Sequence, residues 1–333
     1  MILYYRHAAS LAHDTGPHPE NAGRIAAIEG ALEREGWAGL SLCDSPAADE
    51  SWLARVHTPE HIVGIRELCE TGGGMIDADT VASPGSWEAA LRAAGAACEA
   101  AERLLAGEAP AAFCGARPPG HHAERARAMG FCLFNNIAAA AAHALRSGGA
   151  ERVLVVDWDV HHGNGTEQIF KETDEVLYVS IHQSPLYPGT GLADYRGEGA
   201  GEGYTINLPV APGADERVFA ALLEHVVRPV ALAYEPDLIA LSAGFDAHRA
   251  DPLASCRLAS SSYERLASGL AAVAAELEAP VLACLEGGYD HTALGESVPA
   301  LLRGLASPRR IEDAERGPAE PHRENLHSRW RGG

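Results

Sequence analysis

Two carboxylates and two imidazoles follow one another in Val153-Leu-Val-Val-Asp157-Trp-Asp159-Val-His161-His162-Gly163-Asn164-Gly165. The run opens apolar and β-branched, the pattern of a strand buried on both faces. Residues two apart on a strand point to the same side. If the extended geometry continues past the strand, Asp157, Asp159 and His161 emerge together and make a candidate site for a divalent metal. A mixed oxygen and nitrogen donor set suits zinc. Polar residues that merely cap a strand are the plain alternative, and they account poorly for so many ligand-type groups in so short a run.

A second stretch, Arg117-Pro-Pro-Gly120-His121-His122, holds paired histidines in a stiff turn after a short apolar strand at 111–114. With a metal motif one βαβ unit downstream, acid–base catalysis is the expected use of the pair. Gly130-Phe131 can present an aromatic face to a pocket, and Asn135 can cap the helix that follows. Asp246 and Tyr289 each come directly after a further apolar run. Asp77 and Asp79 read as a solvated loop. Arg24, in the first turn of a helix at about 22–36, reads either as a solvated cation or as an inward group serving the site.

Strands are expected at 2–5, 111–114, 153–157, 176–182, 204–208, 237–242 and 280–285. They alternate with helices at about 22–36, 59–70, 86–106, 137–146, 165–172, 215–234, 262–278 and 294–304. Such alternation predicts an α/β fold with a mostly parallel central sheet and helices on both faces. Ligands of these sheets bind beyond the carboxyl ends of the strands. His121 and His122, the Asp157 to His161 run, Asp246 and Tyr289 all sit at such ends. The segment from Ser307 is rich in charge and proline and is expected to be partly loose, with Leu326-His-Ser-Arg-Trp330 docking as a short helix.

The 333 residues carry a formal net charge of −20, which disfavours direct nucleic-acid binding and favours a cationic substrate. Seven cysteines without C-x-x-C spacing argue against a disulfide framework or a thiolate zinc cluster. No apolar run reaches membrane-spanning length, and Met1-Ile-Leu-Tyr-Tyr-Arg6 lacks the pattern of a signal peptide. The expectation is a cytoplasmic protein without a membrane partner.

Taken together, these stretches resemble the arginase-like zinc deacetylases: histone deacetylases, bacterial histone-deacetylase-like amidohydrolases and acetylpolyamine amidohydrolases. The resemblance spans about residues 1–305. It rests on His18-Pro-Glu-Asn21, Arg117-Pro-Pro-Gly-His-His122, Gly130-Phe-Cys-Leu-Phe-Asn-Asn136, Asp157-Trp-Asp-Val-His-His-Gly-Asn-Gly165, Tyr187-Pro-Gly-Thr-Gly191, Ala243-Gly-Phe-Asp246 and Leu285-Glu-Gly-Gly-Tyr289. Asn164, Ala243-Gly-Phe-Asp-Ala247 and Glu286-Gly-Gly-Tyr289 look like the class II branch.

The resemblance implies a single-domain arginase/deacetylase fold over 1–305, followed by a tail at 306–333. It implies one zinc per chain on Asp159, His161 and Asp246. His121 and His122 would act on a water, partnered by Asp157 and Asn164, and Tyr289 would face the developing oxyanion. Gly130, Phe131, Tyr187, Leu253 and Gly288 would line a narrow substrate channel. Leu253 stands where a dedicated polyamine deacetylase carries Glu. Arg24 matches the arginine of an internal acetate cavity. Potassium would lie on Asp157, Ser180 and Ile181 with main-chain groups of Asp159 and His161, and a second potassium near Phe170, Thr173, Val176 and Tyr204. The implied activity is hydrolysis of N-acetyl amides on cationic amines, whether acetyl-lysine or acetylpolyamine. An arginase-type dimetal ureohydrolase is the rival, and Asn164 with the histidine pair occupies places where it would want further carboxylates. A non-catalytic acetyl-lysine binder would lack Tyr289, a ligand or both histidines.

Overall fold

The computed structural model describes residues 1–331, without the side chains at 147 and 148. Among the described residues there are ten strands: β1 Ile2–Arg6, β2 Leu40–Asp44, β3 Gly74–Met75, β4 Val81–Ala82, β5 Ala111–Cys114, β6 Val153–Asp157, β7 Val176–Gln183, β8 Thr205–Val210, β9 Leu238–Ala243 and β10 Val281–Leu285. Eight of them form one sheet in the order β2-β1-β5-β10-β9-β6-β7-β8, with every pair parallel. β3 and β4 make a separate antiparallel hairpin. All eight sheet strands therefore end on the same edge.

The central strands β5, β10, β9 and β6 are buried at every position because both faces are covered, and apart from Ser242 and the terminal Asp157 their residues are apolar. Leu154 and Val156 of β6 enter one hydrophobic cluster, and Val153 and Val155 enter the other. The first cluster packs beneath helices Gly23–Arg34, Ser260–Leu277 and His291–Leu305, and the second beneath Pro59–Glu70, Ser86–Leu105 and Asn136–His143. Alanines 89, 90, 93, 94, 96, 97, 100 and 101 line the buried side of Ser86–Leu105. Alanine has the highest helix propensity and lets neighbours approach closely. Asn135 accepts a hydrogen bond from the Ala138 amide and caps its helix as expected.

Several boundaries differ from the sequence expectation. The helix expected at 215–234 is interrupted by a wider turn at Leu223–Val227. β2 and the β3–β4 hairpin carry no strong apolar signal and were not expected. β2 is an edge strand whose residues are only partly covered. The segment after Leu305, expected to be partly loose, instead lies against the body. Ile311, Ala319, Leu326 and Trp330 are buried, and a helix spans Glu320–Asn325. Leu326 to Trp330, expected as a short helix, contains only the single turn Ser328–Trp330. Asn325 Nδ2 donates to Ala193 O, and Trp330 Nε1 donates to Gly203 O at 2.5 Å, so this segment clasps the 184–203 loop beside edge strand β8. No helix among the described residues is long and apolar enough to cross a membrane.

Candidate active site

β5, β10, β9 and β6 are neighbours at the middle of the sheet. The residues that follow them are His121 and His122, Glu286 to Tyr289, Asp246, and Asp159 to His161. Spatial adjacency thus gathers groups that are up to 168 positions apart in the chain at one strand-end edge.

Among the described residues, one group could hold a metal ion: Asp159, His161 and Asp246, whose donor atoms all lie within 4.8 Å of one another. His161 Nδ1 stands 3.1 Å from Asp159 Oδ1 and 3.1 Å from Asp246 Oδ2. Backbone amides fix both carboxylates. Gly287 N donates to Asp159 Oδ2 at 2.8 Å, and Val160 N donates to Asp246 Oδ1 at 2.9 Å. Three buried donors of mixed oxygen and nitrogen type aimed at one point match a three-ligand zinc site with open positions. Asp157 is not part of this group, which corrects the strand-periodicity reading. Its Oδ2 instead faces His121 Nδ1 at 3.0 Å and accepts from the Tyr178 hydroxyl at 3.1 Å. The chain turns after Asp157, so strict alternation stops there.

His121 and His122 lie side by side, ring centroids 4.0 Å apart, with opposite electrostatics. Burial works against a charge on His121, but the Asp157, Asp159 and Glu286 carboxylates outweigh it and hold the imidazole well above its usual pKa. For His122, burial and the neighbouring His121 and His161 all push the pKa well below the usual range. Its Nδ1 is 2.8 Å from Asn164 Oδ1. Asn164 Nδ2 donates to Glu124 Oε1 at 2.8 Å, which orients the amide. Nδ1 of His122 is therefore the donor, and its Nε2 carries the free lone pair.

A cavity of about 210 Å³ opens above these groups, lined by His122, His161, Phe131, Tyr187, Leu253, Tyr289, Gly130, Leu186 and Asp79. Phe131 and Tyr289 meet edge to face at 5.7 Å, and Tyr187 meets His122 the same way at 5.2 Å. Gly288, next to the lining residue Tyr289, has a φ of +120°, a conformation that favours glycine. Arg24, expected at an acetate cavity, is buried with its guanidinium 5.0 Å from the centre of the Tyr289 ring. Its nitrogens are bonded to Gly288 O, Glu286 O and Glu20 Oε1, so it serves as a strut beneath the tyrosine turn. Ser180 pairs in register with Asp157 across β6 and β7, and its hydroxyl meets His182 Nδ1 at 2.9 Å. In the second expected potassium set, the Tyr204 carbonyl already accepts the Tyr178 amide at 2.9 Å.

Sequence reasoning missed three groups. Asp79, read as a solvated loop residue, stands at the cavity mouth. Glu286 is buried and accepts from the amides of Gly120 at 2.7 Å and His121 at 3.1 Å, which locks the histidine turn to β10. Burial pushes its carboxyl up to about 7. Asp251 is buried and accepts from the Tyr289 amide. Glu286 belongs to the Leu285-Glu-Gly-Gly-Tyr289 motif, which pointed to the site without giving the acid a role, whereas nothing in the residues around Asp79 or Asp251 signals contact with the cavity.

The parallel sheet order, the histidine pair and the buried Asp-His-Asp group together define the arginase/deacetylase fold. Residues 18–305 match the histone deacetylase domain, and the chain belongs to that family. Its relatives include the Synechocystis sp. protein slr0245, 40% identical over 310 residues, covering 92% of this chain and 99% of that one. The histone deacetylase-like amidohydrolase of Pseudomonas aeruginosa is 40% identical over 276 residues, covering 81% of this chain and 72% of that protein. The crystal structure of the HDA15 HD domain superposes with a TM-score of 0.87 at 37% identity, covering 91% of this chain and 90% of that one.

Proposed function

We propose that the protein is a zinc-dependent amidohydrolase that removes acetyl groups from cationic amines of the acetyl-lysine type and releases acetate. The observation that carries this reading is the buried Asp159, His161 and Asp246 group at the cavity floor, beside two histidines of opposite electrostatics. Zinc held there would polarise the acetyl carbonyl and acidify a water. His122, neutral with Nε2 free, would take the proton from that water and later deliver it to the leaving amine. His121, kept cationic by Asp157, would stabilise the negative charge that develops. Burial pushes the Tyr289 phenol well above its usual pKa against the opposing pull of Arg24, so it remains a donor for the oxyanion.

Phe131, Tyr187 and Leu253 form an apolar sleeve suited to an alkyl stem, and Asp79 at the mouth suits a cation or an amide N–H. Asp157, Ser180 and the carbonyls of Asp159, His161 and Ile181 supply the oxygen donors that a potassium ion prefers. Catalytic function is proposed for the domain at 1–305, with the 306–331 segment as its brace. An acetylpolyamine substrate is the second reading: the net charge of −20 suits either cation, and apolar Leu253 at the cavity wall opposes the polyamine.

A panel of acetyl-lysine peptides, acetylputrescine and acetylspermidine, assayed on enzyme of known metal content, tests this. One zinc per chain and the highest kcat/KM on acetyl-lysine are expected. Two manganese ions with urea release would refute the reading, as would a His122→Ala enzyme as active as the wild type.

A further inference from the structure

The two central residues of the turn Glu286-Gly287-Gly288-Tyr289 are glycines and offer no side chain to fix it. Gly287 has no room for a Cβ, and Gly288 adopts a φ of +120°. Its course depends on hydrogen bonds. Glu286 O and Gly288 O are held by Arg24, Gly287 N by Asp159 and Gly287 O by the Phe245 amide at 3.0 Å. The remaining anchor is Tyr289 N, which donates to Asp251 Oδ2 at 2.7 Å. The other oxygen of the same carboxylate, Oδ1, accepts from Leu253 N at 2.9 Å.

Asp251 is 7% exposed, and no ion pair to it is found among the described residues. A buried carboxylate without a cation is costly and is tolerated only where its oxygens are hydrogen-bonded. Here both bonds go to the backbones of cavity-lining residues, Tyr289 and Leu253. The 248–251 loop that presents the carboxylate is itself pinned, with Asp251 N donating to His248 O at 2.9 Å and Ala250 N to His248 Nδ1 at 3.1 Å.

We propose that Asp251 is a positioning residue for the hydrolytic reaction: one carboxylate ties the Tyr289 turn to the Leu253 wall and so sets the direction of the phenol. This rests on the amidohydrolase reading of the same cavity. Asp251 acts through the tyrosine and does not touch substrate. Asp251→Asn replaces one of the two acceptors with an NH₂ that cannot bond an amide N–H, so one anchor is lost whichever way the side chain turns.

Two measurements on the full chain test the proposal. Hydrogen exchange reads the anchor without reference to activity. In Asp251→Asn the amide of Tyr289 or that of Leu253 should exchange at least about ten-fold faster, by the local-opening logic of a lost bond, and unchanged exchange at both would overturn the proposal. Steady-state kinetics on an acetyl-lysine peptide should show kcat lowered roughly 10- to 100-fold, the scale of an ångström misplacement, with KM within about threefold. The same substitution in a Tyr289→Phe background should then cost little, because the group it positions is gone. An equal loss in both backgrounds would mean a general structural effect and would overturn the proposal. If Asp251→Asn does not fold, Asp251→Glu serves the same comparisons, because one added methylene displaces both oxygens. A wild-type enzyme inactive on every acetyl amide would sink the amidohydrolase reading, while the exchange measurement still decides whether Asp251 anchors the turn.

Discussion

Gly287→Ala should disable the metal site while leaving the fold intact. A Cβ at Gly287 would lie 1.9 Å from Asp246 Oδ2 and 2.7 Å from Asp159 Oδ2, where real Cβ contacts do not fall under 3.0 Å. Asp246 Oδ2 must therefore retreat by about 1.1 Å, the difference between 3.0 Å and 1.9 Å. That atom is the one facing His161 Nδ1 at 3.1 Å. Ligand distances at a zinc site hold to within roughly 0.2 Å, so the shift is several times the tolerance. Rotating Asp246 away would also break its bond from Val160 N at 2.9 Å, a further loss of about 1 kcal/mol. The backbone at Gly287 is not in the left-handed region, so alanine adds bulk without conformational strain. Zinc affinity, titrated against a competing chelator, should fall by at least about 100-fold, and kcat/KM by a similar factor. Far-UV circular dichroism should be unchanged. A Gly287→Ala protein that binds zinc within threefold of the wild type and keeps its kcat/KM would refute the assignment of Asp159 and Asp246 to a common ion.

Two further outcomes are expected. Burial raises the Glu20 carboxyl, but His13, Arg117 and Arg24 outweigh it and depress its pKa below the ordinary 4.5. A depressed folded-state value means that its contribution to stability is complete above about pH 4.5 and is lost as pH falls below it. Glu20→Gln should cost about 3–5 kcal/mol at neutral pH and flatten the acid limb of the Tm-against-pH curve; an unchanged limb would show that the pairing contributes nothing. Trp330→Ala removes a buried ring and its bond to Gly203 O, a loss of about 3 kcal/mol. Limited proteolysis should then cut the 306–331 segment first, and a cleavage pattern identical to the wild type would rule out the clasp.

Much of the local structure was legible because it is written in short-range pattern. The β6 run, its carboxylates and imidazoles, the Asn135 cap and the Ala-rich helix at 86–105 all follow from periodicity and residue type. β2 was not legible, since its five residues are only partly covered or exposed and set no apolar run, unlike those of β8 at the other edge. Asp157 illustrates the limit of periodicity: it shares a side with Asp159 only while the chain stays extended, and the turn sends it to His121 instead.

The amino-acid order by itself determined which groups leave each strand and with what chemistry, because alternation and turn residues act within a few positions. Only the tertiary structure decided that β5, β10, β9 and β6 stand side by side, which brings His121, Tyr289, Asp246 and His161 to one edge. The same holds for Asp79 at the cavity mouth, Asp251 beneath Tyr289 and the tail folded over the 184–203 loop. Those placements arise from long-range packing of two apolar faces, and no periodicity within a segment encodes which other segment will cover it.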